Sequence, residues 1–300
     1  MISRVTSQTT MRAAQQNLQH SASELARLQD RATSLKKISK PSDDPIGTAD
    51  SMRIRAEQKQ NDQHSRNITD GTGWLTTIDS ALSGATALMH KVRDLTVQGA
   101  NDGSMSAEAK EAIAIQLEGL KTELLNAANT KYLGRTVFAG TADTGYAFTD
   151  GAAALPYSYA GAGTTGTVER QVDGSTTVRV DLTGTDVFGE GATSVFALVD
   201  QIVADLRGGT NVNPRLGEID NHLNAILGQH GSVGARHAQI LRAEEMNMER
   251  SGSLEAQRSG IEDVDLGEVV LELKLQEVTY QSALAVTARV LQPTLMDFLR

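Results

Sequence analysis

The 300-residue sequence predicts a mainly α-helical protein with a β-rich insert, in which both chain ends build a long helical bundle or coiled-coil core and the middle forms a small outer β domain. Three observations predict it. Eight of the eleven aromatic residues lie between Tyr132 and Phe196, in a stretch also rich in Gly and Thr, the residues of short strands and turns. The flanks are rich in Ala, Leu, Gln and Glu, which favour helix. No proline occurs from Ile46 to Leu155, so long helices are permitted there. The boundaries read 1–45, a terminal helix; 46–142, the first part of the helical core; 143–207, the outer β domain; 208–260, a return helix; and 261–300, the last helix.

The first helix carries an a/d seam of Met11, Ala14, Leu18, Ser21, Leu25, Leu28, Ala32 and Leu35, at alternating spacings of three and four. Lys40-Pro41 and Asp44-Pro45 stop it, because each proline biases its predecessor away from helical dihedrals. A second helix spans about Ile46 to Gly99, roughly 80 Å at 1.5 Å per residue, with Gly71 and Gly73 as candidate bends. Its seam is Leu75, Ile78, Leu82, Ala85, Met89 and Val92. After Asn101-Asp102-Gly103, a third helix over Ala107 to Asn129 places Ile113, Leu117, Leu120 and Leu124 on one face, giving an antiparallel hairpin.

In the middle, Val168 to Val172 and Thr176 to Val180 flank Asp173-Gly174, which predicts a β-hairpin with a type I′ turn. A short helix follows near Ser194–Leu206. Heptads then return at Leu216, Ile219, Leu223, Ile226, His230, Val233, His237 and Ile240, with a break expected at 251–260. The last helix, Asp263 to Phe298, shows one stripe of Leu266, Val270, Leu273, Tyr280, Leu284, Leu291 and Phe298. A second stripe of Leu271, Leu275, Val278 and Ala285 lies beside it. Two apolar stripes require at least two packing partners. One chain with such ends cannot bury them alone, which predicts assembly.

The chemistry is otherwise sparse. A net charge of −9 argues against nucleic acid. No apolar run spans a membrane, and the first residues lack the apolar core of a cleaved secretory signal. The absence of cysteine excludes disulfides, thiolate metal sites and thiol catalysis. Gly161-Ala162-Gly163-Thr164-Thr165-Gly166 is a literal GxGxxG, but the β-branched residues after it predict a strand where a dinucleotide site needs a helix. His230 and His237 sit one heptad apart, where a polar residue fixes register more often than it binds metal. Glu262, Asp263 and Asp265 suit the positive end of the last helix. Asn67-Ile68-Thr69 falls on a helical pattern and reads as a chance sequon. No serine has a nucleophile-elbow setting. The reading is therefore a structural protein with no cofactor and no catalytic residue. An enzyme with a Gly-loop nucleotide site and a cytoplasmic coiled-coil adaptor are the competing classes.

Several segments carry a resemblance. They are Ile2-Ser3-Arg4-Val5-Thr6-Ser7-Gln8, Lys37 to Ala49, Val92 to Gln98, Leu133 to Gly140, Glu277, Tyr280 to Leu284, and Pro293 to Leu299. Together they resemble the bacterial flagellin family, and more closely its hook-filament junction branch. Filament flagellins usually read Lys-Asp-Asp-Ala-Ala-Gly where this chain has Ser42-Asp43-Asp44-Pro45, and tend to end in a Leu-Leu-Arg-like tail rather than Leu295 to Leu299. Arg300 keeps filament flagellin as the alternative.

The resemblance implies a structural flagellar subunit that self-assembles in a helical layer beside a neighbouring hook-associated protein and flagellin or cap subunits. It also implies an extracellular location, export through the flagellar type III channel without a cleaved signal peptide, and a cytoplasmic export chaperone. On this reading residues 1–40 and 262–300 pair only in the assembled tube. The interface candidates are Leu18, Leu25, Leu28, Leu35, Leu266, Val270, Leu273, Tyr280, Leu284, Leu291 and Phe298.

Overall fold

A computed structural model describes residues 7–101, 105–150, 157–161 and 166–290. In chain order these form α1 (Ser7–Ser34), α2 (Pro45–Gly99), α3 (Ala107–Ala128), β1 (Lys131–Tyr132), β2 (Arg135–Thr136), β3 (Glu169–Gln171), β4 (Thr177–Arg179), α4 (Gly184–Phe188), α5 (Val195–Arg207), α6 (Arg215–Glu262) and α7 (Leu266–Val290). The fold is mainly helical with two small antiparallel hairpins, β1–β2 and β3–β4. Contacts divide the chain into two units. The terminal unit is Met1–Gln60 with Ser251–Arg300, and the central unit is Asn61–Arg250.

The central unit is built on the seams read from the sequence. Leu75, Ile78, Leu82, Ala85, Met89 and Val92 of α2 are fully buried, as are Leu117 and Leu124 of α3 and Ile219, Ile226 and Ile240 of α6. His230, the polar member of the α6 seam, pairs through Nε2 with Asp79 Oδ1 of α2 at 2.7 Å, a contact that fixes the register of the two helices. Gly71 and Gly73 do not interrupt α2. Gly73 instead leaves room for the Tyr132 ring and hydroxyl, which an added Cβ would meet, and Tyr132 packs on Trp74.

The middle of the chain shares this core rather than forming a separate one. Phe138, Phe148, Phe188 and Phe196 are buried in one aromatic cluster, continuous with α2, α3 and α6. Its strand content is small, since β3 and β4 have three residues each. Their register pairs Glu169 with Arg179 and Gln171 with Thr177.

The turn between them is not the expected type I′. Neither Asp173 nor Gly174 has a positive φ, and Val172 N–H donates to Thr176 O, leaving a three-residue loop. Asp173 Oδ1 accepts from Gly174 N–H and holds that loop in its own geometry. The two-residue turn with both φ positive occurs at Leu133-Gly134, between β1 and β2. The break expected at 251–260 is also absent. There α6 stays helical beside α2, with Leu254 and Ile54 buried and Gln58 Nε2 donating to Glu255. Tertiary packing outweighs the roughly 1 kcal/mol that each helical glycine costs.

Candidate assembly interface

α1 and α7 pack along each other in the terminal unit. On α1 most of the expected seam is protected, together with Ala22, Glu24 and Arg31 beside it. Leu28 is buried, Ala14, Leu18, Ser21, Leu25 and Ala32 are half-buried, and Met11 is exposed. Leu35 lies past the helix end, exposed, with a φ of 56°.

On α7 the protected positions differ from the expected stripe. They are Val269, Leu273, Gln276, Tyr280, Ala283 and Thr287, again alternating by four and three, with Glu277 half-buried beside them. Only Leu273 and Tyr280 are common to both sets, while Leu266, Val270 and Leu284 are exposed. Gln276 and Thr287 disguise this seam in the sequence, because apolarity alone picks out the more hydrophobic face beside it. Gln276 Nε2 donates to Ser21 O across the pair. Leu291 and Phe298 lie outside the described residues.

The linkers at the helix ends hold the pair together. Lys36 and Asp263 form an antiparallel bridge. Lys37 N–H donates to Glu262 O at 2.7 Å and Val264 N–H to Leu35 O at 3.3 Å. With the end of α1 joined to the start of α7, the two helices run antiparallel. The sequence reading placed their pairing only in the assembled tube, whereas here they pair within one chain. Tethered ends raise the effective concentration of each helix for the other.

The segment Ser42 to Pro45 acquires a physical role. Asp43 Oδ2 accepts from the N–H groups of Ser39 and Lys40. Asp44 Oδ1 caps α2 by accepting from Ile46 and Gly47 N–H. Pro45 is the first helical residue, where its missing N–H costs nothing, so this proline opens α2. It does not stop α1, which has already ended at Ser34, before a positive-φ Leu35.

Of the three acidic residues assigned to the start of the last helix, only Asp265 caps it, accepting from Gly267 N–H at 2.8 Å. Glu262 ends α6, almost fully buried. It accepts from Arg55 Nε at 2.8 Å and Nη2 at 2.7 Å, from Ser51 Oγ and from Lys36 Nζ at 3.1 Å. The Arg55 hydrogen bonds, against the opposing cost of burial and with help from Ser51 and Lys36, hold its carboxyl down at about 2. Sequence reasoning missed this cluster, because Arg55 lies 207 positions from Glu262 and no local pattern links them.

Of the glycine run, residues 162–165 lie outside the described ones, and the next element is β3, not a helix that could hold a pyrophosphate. Among the described residues no group of three His, Asp or Glu could hold a metal ion, and no helix is long and apolar enough to cross a membrane. In the formal sequon, Asn67 Nδ2 donates to Gln171 O at 2.8 Å.

The outer face of α7 remains. Leu271, Leu275, Val278 and Val286 are each 61–63% exposed, and Leu266, Val270 and Leu284 flank them. Soluble proteins seldom leave so contiguous an apolar surface uncovered.

Comparison with known proteins agrees in kind. The family described as the bacterial flagellin N-terminal helical region matches residues 5–143, and the bacterial flagellin C-terminal helical region matches residues 216–299. Flagellar hook-associated protein 3 of Salmonella typhimurium is 24% identical over 93% of this chain and 94% of its own length. Flagellin A of Vibrio anguillarum is 32% identical but over only 40% of this chain and 32% of its own, which leaves filament flagellin the weaker reading. In fold, the chain resembles a flagellar hook-associated protein from Vibrio parahaemolyticus, with a TM-score of 0.67 at 20% identity, covering 74% of this chain and all of that one. The chain belongs to the bacterial flagellin family, in its hook-filament junction branch, and is a structural protein of the flagellum rather than an enzyme.

Proposed function

We propose that the chain acts as one subunit of a helical layer between hook and filament, and that neighbouring subunits complete the uncovered face of α7. The observation that carries this reading is the exposure of Leu271, Leu275, Val278 and Val286 on a helix already packed through its other face. At about 1.5–3 kcal/mol for fully burying a Leu or Val, covering these four, each about three-fifths exposed, supplies roughly 4–7 kcal/mol before the cost of association. The outer positions Leu266, Val270 and Leu284 belong to the same contact. Leu18, Leu25, Leu28, Leu273 and Tyr280 hold the α1–α7 pair that presents it, and Leu35 lies at the linker. Leu291 and Phe298 extend the sequence stripe toward the chain end. A head-to-tail contact of this kind propagates as a helix instead of closing into a dimer.

The partners in this reading are further copies of the chain, a neighbouring hook-associated protein, and flagellin or cap subunits. Before assembly the same face needs a cover, and a cytoplasmic export chaperone offering an apolar groove fits it. Export then runs through the flagellar type III channel to the cell exterior.

The test is the double variant Leu275→Asp/Val278→Asp in place of the native protein. Both side chains are exposed, so the melt of the free subunit should change by less than about 0.5 kcal/mol each. Cells carrying it should show hooks without filaments in electron microscopy. Normal filaments on such cells would refute the assigned face. Hooks and filaments of wild-type appearance after deletion of the whole chain would refute the junction reading itself.

A further inference from the structure

The α1–α7 seam has a weakness that its own pattern cannot remedy. Both helices repeat every seven residues, through Ala14, Leu18, Ser21, Leu25 and Leu28 on one and Val269, Leu273, Gln276, Tyr280 and Ala283 on the other. If α7 slides along α1 by one heptad, seam positions still meet seam positions. Overlap is lost only at one end of a seam that includes Ala, Ser, Gln and Thr. Within the seam, among the described residues, the side-chain hydrogen bond from Gln276 to Ser21 O favours a single register. Something outside the seam must choose it.

We infer that Glu262 is the register anchor of the terminal helix pair. The carboxylate gathers three segments at one point. Lys36 comes from the linker after α1, Ser51 and Arg55 from α2, and Glu262 itself from the end of α6, immediately before the linker into α7. The adjoining backbone is tied as well, by Lys37 N–H to Glu262 O and by the Lys36–Asp263 bridge. These bonds define which residue of the first linker faces which residue of the second. Since α1 ends and α7 begins within a few residues of them, they define the pairing register of both helices. A slide of seven residues moves α7 by roughly 10.5 Å, which no rotamer of Lys36 or Arg55 can follow with their bonds to Glu262 intact.

Glu262 is a positioning residue in this account, acting through the linkers and touching no partner subunit. Its consequence for assembly rests on the reading of α7 given above. The clamp sets where along the helix axis Leu271, Leu275 and Val278 are presented, so a slipped pair offers the right face at the wrong height.

The native absence of cysteine makes the register directly measurable by disulfide trapping in the full-length chain. Ser21→Cys/Gln276→Cys reports the native register, and Ser21→Cys/Ala283→Cys reports a one-heptad slip. The second pair stands roughly 10 Å out of register in the native arrangement, beyond the 4.4–6.8 Å Cα separation that a disulfide bridges. Under a mild oxidant the first pair should close and the second should not. Adding Glu262→Gln, or separately Arg55→Gln, should raise closure of the slipped pair by roughly tenfold or more, because either change breaks a buried ion pair on one side.

Unchanged closure of both pairs in both variants would overturn the anchor role. Failure of the first pair to close in the otherwise native chain would overturn the antiparallel pairing, and the anchor with it. If Glu262→Gln slips the register yet cells still assemble normal filaments, the anchor stands and the α7 contact is refuted. The two readings therefore fail separately.

Discussion

A carboxylate as buried as Glu262 keeps its charge only because Arg55, Ser51 and Lys36 replace the water it has lost. The pH consequence follows from the direction of the shift. Its carboxyl titrates at about 2 in the folded chain and near 4.5 when exposed. The stabilisation is therefore complete above about 4.5 and is lost as pH falls from there toward 2. The span corresponds to order 2–3 kcal/mol, reduced by screening because Lys36 and Arg55 are about half exposed. Proteolysis at the 35–44 linker should accelerate between pH 5 and about 3 in the native chain, and Glu262→Gln should be fast throughout and flat in that range. A native-like, pH-sensitive profile in Glu262→Gln would assign the effect to another carboxylate. In the central unit, Phe196 stacks with Phe188 and meets Phe148 and Tyr157 at centroid distances of 5.3–5.8 Å. Phe196→Ala should destabilise that unit by about 3–5 kcal/mol, read from its denaturant midpoint. Beside the cluster, burial and the Asp200 carboxylate push the Tyr157 hydroxyl up to about 12. It should therefore stay protonated through pH 10, where an exposed tyrosine is half ionised, as ultraviolet titration would read.

Elements differ in how openly the sequence declares them, and the difference is physical. The seams of α2, α3 and α6 are legible because Leu, Ile and Val occupy most a/d positions and those positions are buried in the same chain. In α7 the logic inverts. The face packed on α1 carries Gln276 and Thr287, while the leucines of the adjacent faces point outward, so hydrophobicity marks the face that the chain leaves uncovered. The type I′ geometry forms away from Asp173-Gly174 for a related reason. Asp173-Gly174 has the right composition, but the β3–β4 register leaves three residues to connect, whereas Leu133-Gly134 lacks the usual composition and is held there by its two-residue gap. Glu262 was illegible because its partners are distant in the chain. At this scale Asp44→Ala should cost the terminal unit about 1 kcal/mol, since it removes the α2 cap. Asp44→Ser, which can still cap, should recover most of that loss in the same melt. Equal loss in both variants would mean that the cap is not what Asp44 contributes.

The two units of the molecule bury very different amounts of apolar surface. Among the described residues, the terminal unit buries the hydrophobic side chains of Leu28, Ile54, Leu254 and Val269, worth about 6–12 kcal/mol at the usual 1.5–3 each. Ordering the backbone of α1 and α7 costs about 1–2 kcal/mol per residue before helix hydrogen bonds offset it. So short a list of buried groups leaves the pair little margin. The central unit joins its helices and aromatic cluster in one continuous core, so its amides should exchange only through rare, large openings. In the free subunit, amides of α1 and α7 should therefore exchange at least about tenfold faster than those of Leu75 to Val92, and proteases should trim the ends first. On the proposed assembly, cover is added where the free chain has least, on Leu271, Leu275 and Val278. Exchange along α7 should then slow once subunits polymerise, while that of Leu75 to Val92 should stay as it was. Equal protection of both regions in the free subunit would show that α1 and α7 form a finished pair without neighbours. An α7 that gains no protection on polymerisation would remove its outer face from the contact.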